Sequence, residues 1–188
     1  MVQLVGYEPV GNFCFFDLVK ILIEICEGMS FLSDQGIIHR DLAARNVLLT
    51  DNLVVKIADF GKARSVGTTD SYQTDSDDVV AVKWMALESL QLGTYTSSSD
   101  VWSFGVAAWE IFSMGARPYG GIPNRELTML LCSGYRMNSP ENCPEEVFDV
   151  MSSCWNKIPS KRPTFSQLTE ILMNIVKTVF APTTLLHS

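Results

Sequence analysis

Histidine is scarce in this sequence of 188 residues: His39 and His187 are the only two, and they lie too far apart to suggest a zinc site. Cysteine is neither abundant nor patterned. Cys14, Cys26, Cys132, Cys143 and Cys154 are odd in number and widely scattered, with no Cys-x-x-Cys pair among them. With no signal-peptide pattern at the N-terminus, they read as reduced thiols rather than a disulfide framework. Positive charge is in deficit: 14 lysines and arginines face 21 aspartates and glutamates, for a net charge of −7. That balance argues against a nonspecific binder of nucleic acid or of anionic membrane. No stretch approaches the roughly 18 consecutive apolar residues of a membrane span, so none is expected in this chain. Internal repeats and low-complexity tracts are missing as well.

What remains is the composition of an ordinary globular protein, 47% hydrophobic and 19% charged. A chain of this length buries roughly 70% of its unfolded surface, around one core by default. Leu18, Leu22, Ile25, Met29 and Leu32 recur at helical spacing, which predicts an amphipathic helix over 16–33 stopped by Asp34-Gln35-Gly36. Val47-Leu48-Leu49 and Val54-Val55-Lys56-Ile57 are β-type runs on either side of Asp51-Asn52 and predict a short hairpin. The polar, aperiodic stretch 65–80 predicts a mobile loop. Ser97-Ser98-Ser99-Asp100 offers N-cap residues for a second long helix bearing Val101, Phe104, Ala108 and Ile111, apolar on more than one face and therefore central. Gly115 and Pro118 are expected to end it. Further helices are expected around 125–131 and over 144–154. Thr164 with Gln167 forms a capping-box pattern for a last helix carrying Phe165, Leu168, Leu172, Ile175 and Val179. The expected fold class is mainly α, within α+β: a helical bundle with short β-hairpins and a frayed tail at 181–188.

One segment carries the chemistry. His39-Arg40-Asp41-Leu42-Ala43-Ala44-Arg45-Asn46 is followed, just past the predicted hairpin, by Asp59-Phe60-Gly61. A carboxylate suited to accept a hydroxyl proton and two further hard oxygen donors thus lie within one short stretch. Phosphoryl transfer asks little else of a protein: a base or orienting group for the acceptor hydroxyl, ligands for Mg²⁺, and fixed positions for the donor and acceptor oxygens. The two motifs resemble those of protein kinases. The Ala43-Ala44-Arg45 form of the loop, together with Lys83-Trp84-Met85-Ala86, resembles tyrosine rather than serine/threonine kinases, and the resemblance runs from about Phe16 to Val179.

The resemblance implies a kinase-like large lobe over 16–180, with a catalytic loop at 39–46 and an activation segment at 59–88, after an N-terminal remnant at 1–15. The implied activity is transfer of the ATP γ-phosphoryl group to tyrosine hydroxyls of proteins in signalling, with ATP and Mg²⁺ as cofactors. Implied partners are tyrosine-bearing substrates and other kinases, with no nucleic acid. The implied location is the cytoplasm, or the inner face of the plasma membrane for a receptor parent. Within that scheme Asp41 accepts the substrate proton or orients its hydroxyl, with Arg45 beside it. Asn46 and Asp59 hold Mg²⁺, Leu48 lies under the adenine, and Lys83 and Trp84 shape a shelf deep enough for a tyrosyl ring. Tyr72 falls where the family carries activating phosphotyrosines, with Arg40 and Arg64 to receive its phosphate. Glu88 and Arg162 resemble a buried ion pair tying the activation segment to the helical lobe, and Asp100 the aspartate that holds the catalytic loop from the central helix. Ordinary readings stand beside these: Asn46 and Asp59 as turn caps, Leu48 and Trp84 as core, Lys83 as surface charge.

The chain also departs from the family. No Gly-x-Gly-x-x-Gly occurs, and the only lysine before His39 is Lys20, inside the first predicted helix. The small nucleotide-covering lobe is therefore expected to be largely missing, with 1–6 faintly resembling one of its strands. Leu87 and Ala81 stand where the family has proline, and Lys62 where an apolar residue commonly follows Asp-Phe-Gly. Losing a proline frees the backbone by an amount of order 0.4–1 kcal/mol per site, enough to loosen the shelf. The missing lobe favours a second reading, a pseudokinase-like interaction module that binds kinases or substrates. Intact Asp41, Asn46 and Asp59 favour the enzyme.

Overall fold

A computed structural model describes residues 3–4, 13–66, 72–73 and 81–179. In chain order its elements are β1 (Gln3–Leu4), α1 (Phe15–Asp34), β2 (Ile37–Ile38), β3 (Val47–Leu49), β4 (Val55–Ile57), β5 (Arg64–Ser65), β6 (Tyr72–Gln73), α2 (Leu87–Leu92), β7 (Thr94–Tyr95), α3 (Ser97–Phe112), α4 (Asn124–Cys132), α5 (Glu145–Cys154) and α6 (Phe165–Val179). The result is mainly α with short strands, the fold class the sequence predicts.

The stripe of α1 formed by Leu18, Leu22, Ile25, Cys26 and Met29 is buried, and the helix packs against α6 and α3. Cys14 N donates to Asp17 Oδ2 at 3.0 Å, satisfying one amide at the helix start. Gly36 ends the turn beyond α1 at φ +64°, a left-handed conformation that suits glycine. Lys20 lies on α1, where it pairs with Glu24 at 3.7 Å.

α3 runs through the centre, with Trp102 and Phe104 fully buried and Phe104 edge-on to Phe165 of α6 at 6.1 Å. Its cap is Thr96, one residue before the expected serines. Ser99 N donates to Thr96 Oγ1 at 3.2 Å, and Thr96 N donates to Ser99 Oγ at 2.9 Å. This reciprocal pair leaves Asp100 to turn inward. The helix also stops earlier than Pro118: it ends at Phe112, and Met114 and Gly115 reverse the chain at positive φ.

The predicted hairpin forms between β3 and β4, antiparallel in the register Val47↔Ile57, Leu48↔Lys56 and Leu49↔Val55. β1 adds to it in parallel, Gln3 opposite Leu48. Two further two-strand pairs, β2 with β5 and β6 with β7, fall outside the periodicities read from the sequence, as does α2. Thus Ser65 and 72–73, within the expected loop over 65–80, are strand, while 67–71 and 74–80 of that loop lie outside the described residues, as does the tail at 181–188. Leu87 occupies the first position of α2 and is buried; proline would suit that position by its fixed φ, but leucine adds core contact there. The capping box of α6 is present: Thr164 N donates to Gln167 Oε1 at 2.9 Å and Gln167 N to Thr164 Oγ1 at 3.2 Å. Among the described residues no helix is long and apolar enough to cross a membrane.

Candidate active site

The hairpin sets the spacing of the site. Ala58 N donates to Asn46 O at 2.9 Å, carrying the β3–β4 pairing one step further and bringing Asp59 beside Asn46. Asp59 is left-handed, with φ 61° and ψ 69°, and its Oδ1 accepts from Gly61 N at 3.4 Å to cap a single helical turn over Phe60–Lys62. A left-handed aspartate is uncommon, and such conformations gather at functional sites. Asn46 Nδ2 donates to Asp41 O at 2.7 Å, which commits the amide nitrogen and leaves Oδ1 as the oxygen that can ligate a cation.

His39 ties the catalytic loop to the Asp59 segment. Its Nε2 donates to Ala58 O at 3.1 Å, its Nδ1 accepts from Asp41 N at 3.3 Å, and its ring meets Phe60 edge-on at 5.1 Å. That pattern is the neutral imidazole, and burial lowers the pKa of His39 accordingly.

Behind the loop, Asp100 accepts from His39 N at 2.7 Å and Arg40 N at 2.9 Å, one bond to each oxygen. Arg40 holds φ at +68°, so these bonds clamp a residue in a conformation it would not choose alone. Burial pushes the Asp100 carboxyl up to about 7, against the opposing pull of the two amides and the Arg40 charge. The Arg40 guanidinium sits 4.3 Å over the ring of Tyr95, whose strand pairs with that of Tyr72 in the register Tyr72↔Tyr95. Arg64 Nη1 donates to the carbonyl of Ala63 at 2.8 Å.

Asp41 is nearly enclosed, its side chain 7% exposed. Arg45 Nη2 bonds its Oδ1, and Lys62 Nζ lies 3.3 Å from its Oδ2. The Arg45 guanidinium stacks 4.7 Å over the Trp84 ring, linking the carboxylate to the shelf segment. Trp84 is fixed from below: its Nε1 donates to Glu110 Oε2 at 2.7 Å, and its carbonyl accepts from Ser103 Oγ at 2.7 Å. The same Glu110 oxygen accepts from Ala44 N at 3.0 Å, so one buried carboxylate of α3 holds both the catalytic loop and the shelf. Burial raises the pKa of Glu110, against these two bonds. The ammonium of Lys83 donates to Pro118 O at 3.0 Å and Tyr119 O at 3.1 Å, so it anchors the shelf to the following turn. Desolvation and then the nearby Arg117 lower its pKa. Lys83, Trp84, Arg117, Ile122 and Pro123 line an open depression of about 370 Å³.

Glu88 and Arg162 meet in a two-bond fork, Nη1 to Oε1 and Nη2 to Oε2, both at 2.7 Å. Arg162 also donates to Ser98 O and Asn156 O, each at 2.8 Å, and lies 5.0 Å over Trp102. Leu48 is half-buried in the middle of β3.

Asp41, Arg45, Asn46, Asp59 and Trp84 are thus gathered at one place, Arg40 and Asp100 lie directly behind them, and Lys83 and the Glu88–Arg162 pair brace the segment that follows. Among the described residues no group of three His, Cys, Asp or Glu side chains is placed to hold a metal. Asn46 and Asp59 instead form a two-residue oxygen set, which fits an ion such as Mg²⁺ that keeps several waters and phosphate oxygens in its shell. Reading the sequence assigned no role to Glu110, His39 or the side chain of Lys62. The one available signal was a lone acid in the otherwise apolar second half of α3.

A large helical lobe thus gathers the enclosed carboxylate of Asp41, two further oxygen donors at the ends of the β3–β4 hairpin and a bonded segment beyond them. The family described as protein tyrosine and serine/threonine kinase matches residues 9–172. The chain belongs to that family.

Proposed function

We propose that the chain is the large lobe of a protein tyrosine kinase, transferring the ATP γ-phosphoryl group to tyrosine hydroxyls of proteins in signalling. The observation that carries the reading is the position of Arg45, bonded to Asp41 and stacked on Trp84. It joins the acceptor-side carboxylate to a flat aromatic wall, against which a phenol ring can lie with its hydroxyl toward Asp41. In the reaction the bond between the γ-phosphorus and the β–γ bridging oxygen breaks, its electron pair leaving with ADP. A bond forms from the phenolic oxygen to phosphorus, and the phenolic proton passes to Asp41. Mg²⁺, when held by Asn46 and Asp59, supplies neutralising charge for the phosphate oxygens. Asp100, Glu110 and His39 keep Asp41 and its neighbours in place without touching the reacting atoms. The five free cysteines support a cytoplasmic location, including the cytoplasmic face of a membrane.

A second reading is a non-catalytic module binding kinases or their substrates. It is favoured by the lack of any Gly-x-Gly-x-x-Gly in the 188 residues and by the position of Lys20 on α1, away from a phosphate site. Isothermal titration of the chain with Mg·ATP weighs this observation. Very weak binding is expected, because no glycine-rich loop covers the phosphates. A dissociation constant in the low micromolar range would show that the chain closes a nucleotide site without one.

A further inference from the structure

The open depression beside the shelf has no part in the mechanism above. Val82, Lys83, Trp84, Arg117, Ile122 and Pro123 line it around about 370 Å³ of space. It adjoins the acceptor side of the site through Trp84, whose ring carries the Arg45 guanidinium at 4.7 Å while Arg45 bonds Asp41.

Two of its lining residues are cations, and among the described residues none is an acid. Arg117 is exposed, and its guanidinium makes no ion pair among the described residues. Lys83 commits two of its three N–H donors to Pro118 O and Tyr119 O, neutral groups that fix the ammonium without balancing its charge. The repulsion between the two is felt at Lys83, whose pKa is lowered first by desolvation and then by Arg117. In a chain with 21 acidic and 14 basic residues, two neighbouring cations left without a carboxylate form a site for an anion from outside. The walls say which kind. Val82, Ile122 and Pro123 offer apolar surface to the methylene groups of an acidic side chain, which a free inorganic ion would not use.

We propose that Arg117, supported by the field of Lys83, pairs with an aspartate or glutamate near the target tyrosine, so that the substrates of this chain are acidic peptides. The inference rests on the tyrosine kinase reading and adds to it a substrate class and a residue that sets specificity. An extended peptide advances about 3.3 Å per residue, so an acid that reaches the depression belongs within about three residues of a tyrosine lying on Trp84. The test is a ¹H–¹⁵N NMR titration of the 188-residue chain, following the Trp84 indole and the Arg117 side chain at low salt. The probes are seven-residue alanine–serine peptides with a central tyrosine, with one glutamate moved through the other six positions, and the matching glutamine peptides. At one or more positions the glutamate peptide is expected to bind about fivefold more tightly than its glutamine partner, the upper range for a pair of exposed charges. Arg117→Gln should abolish that preference while leaving the glutamine peptides unchanged, and Arg117→Lys should keep most of it. Arg125→Gln, at an 85% exposed side chain outside the depression, should leave it intact. The proposal is overturned if no glutamate position exceeds its glutamine partner, if Arg117→Gln retains the preference, or if Arg125→Gln reduces it as much, which would make the effect one of overall charge. Serine in place of the central tyrosine separates the two readings. A glutamate preference that persists with serine at equal affinity, and is lost in Arg117→Gln, would support the role of Arg117 and count against tyrosine selectivity. Tyrosine bound over serine with no glutamate preference would overturn the role of Arg117 and leave the tyrosine reading standing.

Discussion

Arg162 gathers Glu88, Ser98 O and Asn156 O around one guanidinium whose side chain is wholly buried, while Glu88 is 13% exposed. The pair joins the first turn of α2 to the segment just before α6. Removing one member strands the other charge, a loss of about 3–5 kcal/mol for buried pairs. Glu88→Ala is accordingly expected to shift the urea midpoint far down or prevent folding. A loss under about 1 kcal/mol would mean that the fork is solvated and weak in solution. Asp100 offers a second test at this scale. Its folded pKa lies above its unfolded value near 3.8, so between about pH 4 and 7 the folded chain holds a proton that the unfolded chain has released. Its contribution to stability therefore falls as pH rises through that window. Glu110 acts in the same direction, and His39, with its lowered pKa, acts in the opposite one. Subtracting the pH profile of Asp100→Asn from that of wild type isolates Asp100. The difference is expected to decline from pH 4 to 7, and a rising difference would show that the two amides and Arg40 outweigh burial.

At the scale of elements, α3 is the member on which the site depends, because Asp100, Ser103 and Glu110 on its length hold the catalytic loop and the shelf. Its own position is set by Gly105. A Cβ there would lie 2.7 Å from Trp155 Nε1, 2.8 Å from Cys154 Cβ and 3.2 Å from Met151 O. Cys154 Cβ and a backbone carbonyl cannot swing aside, so Gly105→Ala must push α3 and α5 apart. Overpacking of this kind costs about 1–3 kcal/mol, more than the helix propensity that alanine gains, and differential scanning calorimetry should show a lower Tm. An unchanged or higher Tm would mean that the two helices are less closely apposed. The elements also show which parts of the fold a single sequence can disclose. α1 and α6 each carry one apolar stripe with a recognisable start or stop, and their spans agree with the periodicity within a residue or two. α2 and the pairs β2–β5 and β6–β7 are too short for any periodicity. They exist through contacts such as Ser89 Oγ donating to Thr94 O at 2.8 Å and Val66 N to Gly36 O at 2.8 Å, which local pattern does not encode.

For the molecule as a whole, the same distinction separates the legible part of the site from the rest. Asp41, Asn46 and Asp59 stand in contiguous motifs, so their types and spacing could be read directly. Glu110 reaches Ala44 across 66 positions and Lys62 reaches Asp41 across 21, and only the folded chain brings these together. The Lys83 ammonium, expected at the substrate shelf, is committed to two backbone carbonyls, a use invisible in sequence because carbonyls carry no side-chain label. On the proposed reading chemistry is likewise a property of the whole, since Asp41, Asn46 and Asp59 would act only with nucleotide phosphates placed opposite them. The most direct measurement is phosphoryl transfer by a fusion that sets the glycine-rich lobe of a related tyrosine kinase ahead of Phe16. The fusion is expected to phosphorylate tyrosine peptides in an Mg²⁺-dependent manner, and serine or threonine peptides little. Asp41→Asn should reduce the rate by on the order of 10²–10⁴-fold with the circular dichroism spectrum unchanged. A folded fusion that binds nucleotide yet forms no phosphotyrosine, with or without prior phosphorylation of Tyr72, would contradict the account and leave the interaction-module reading in its place.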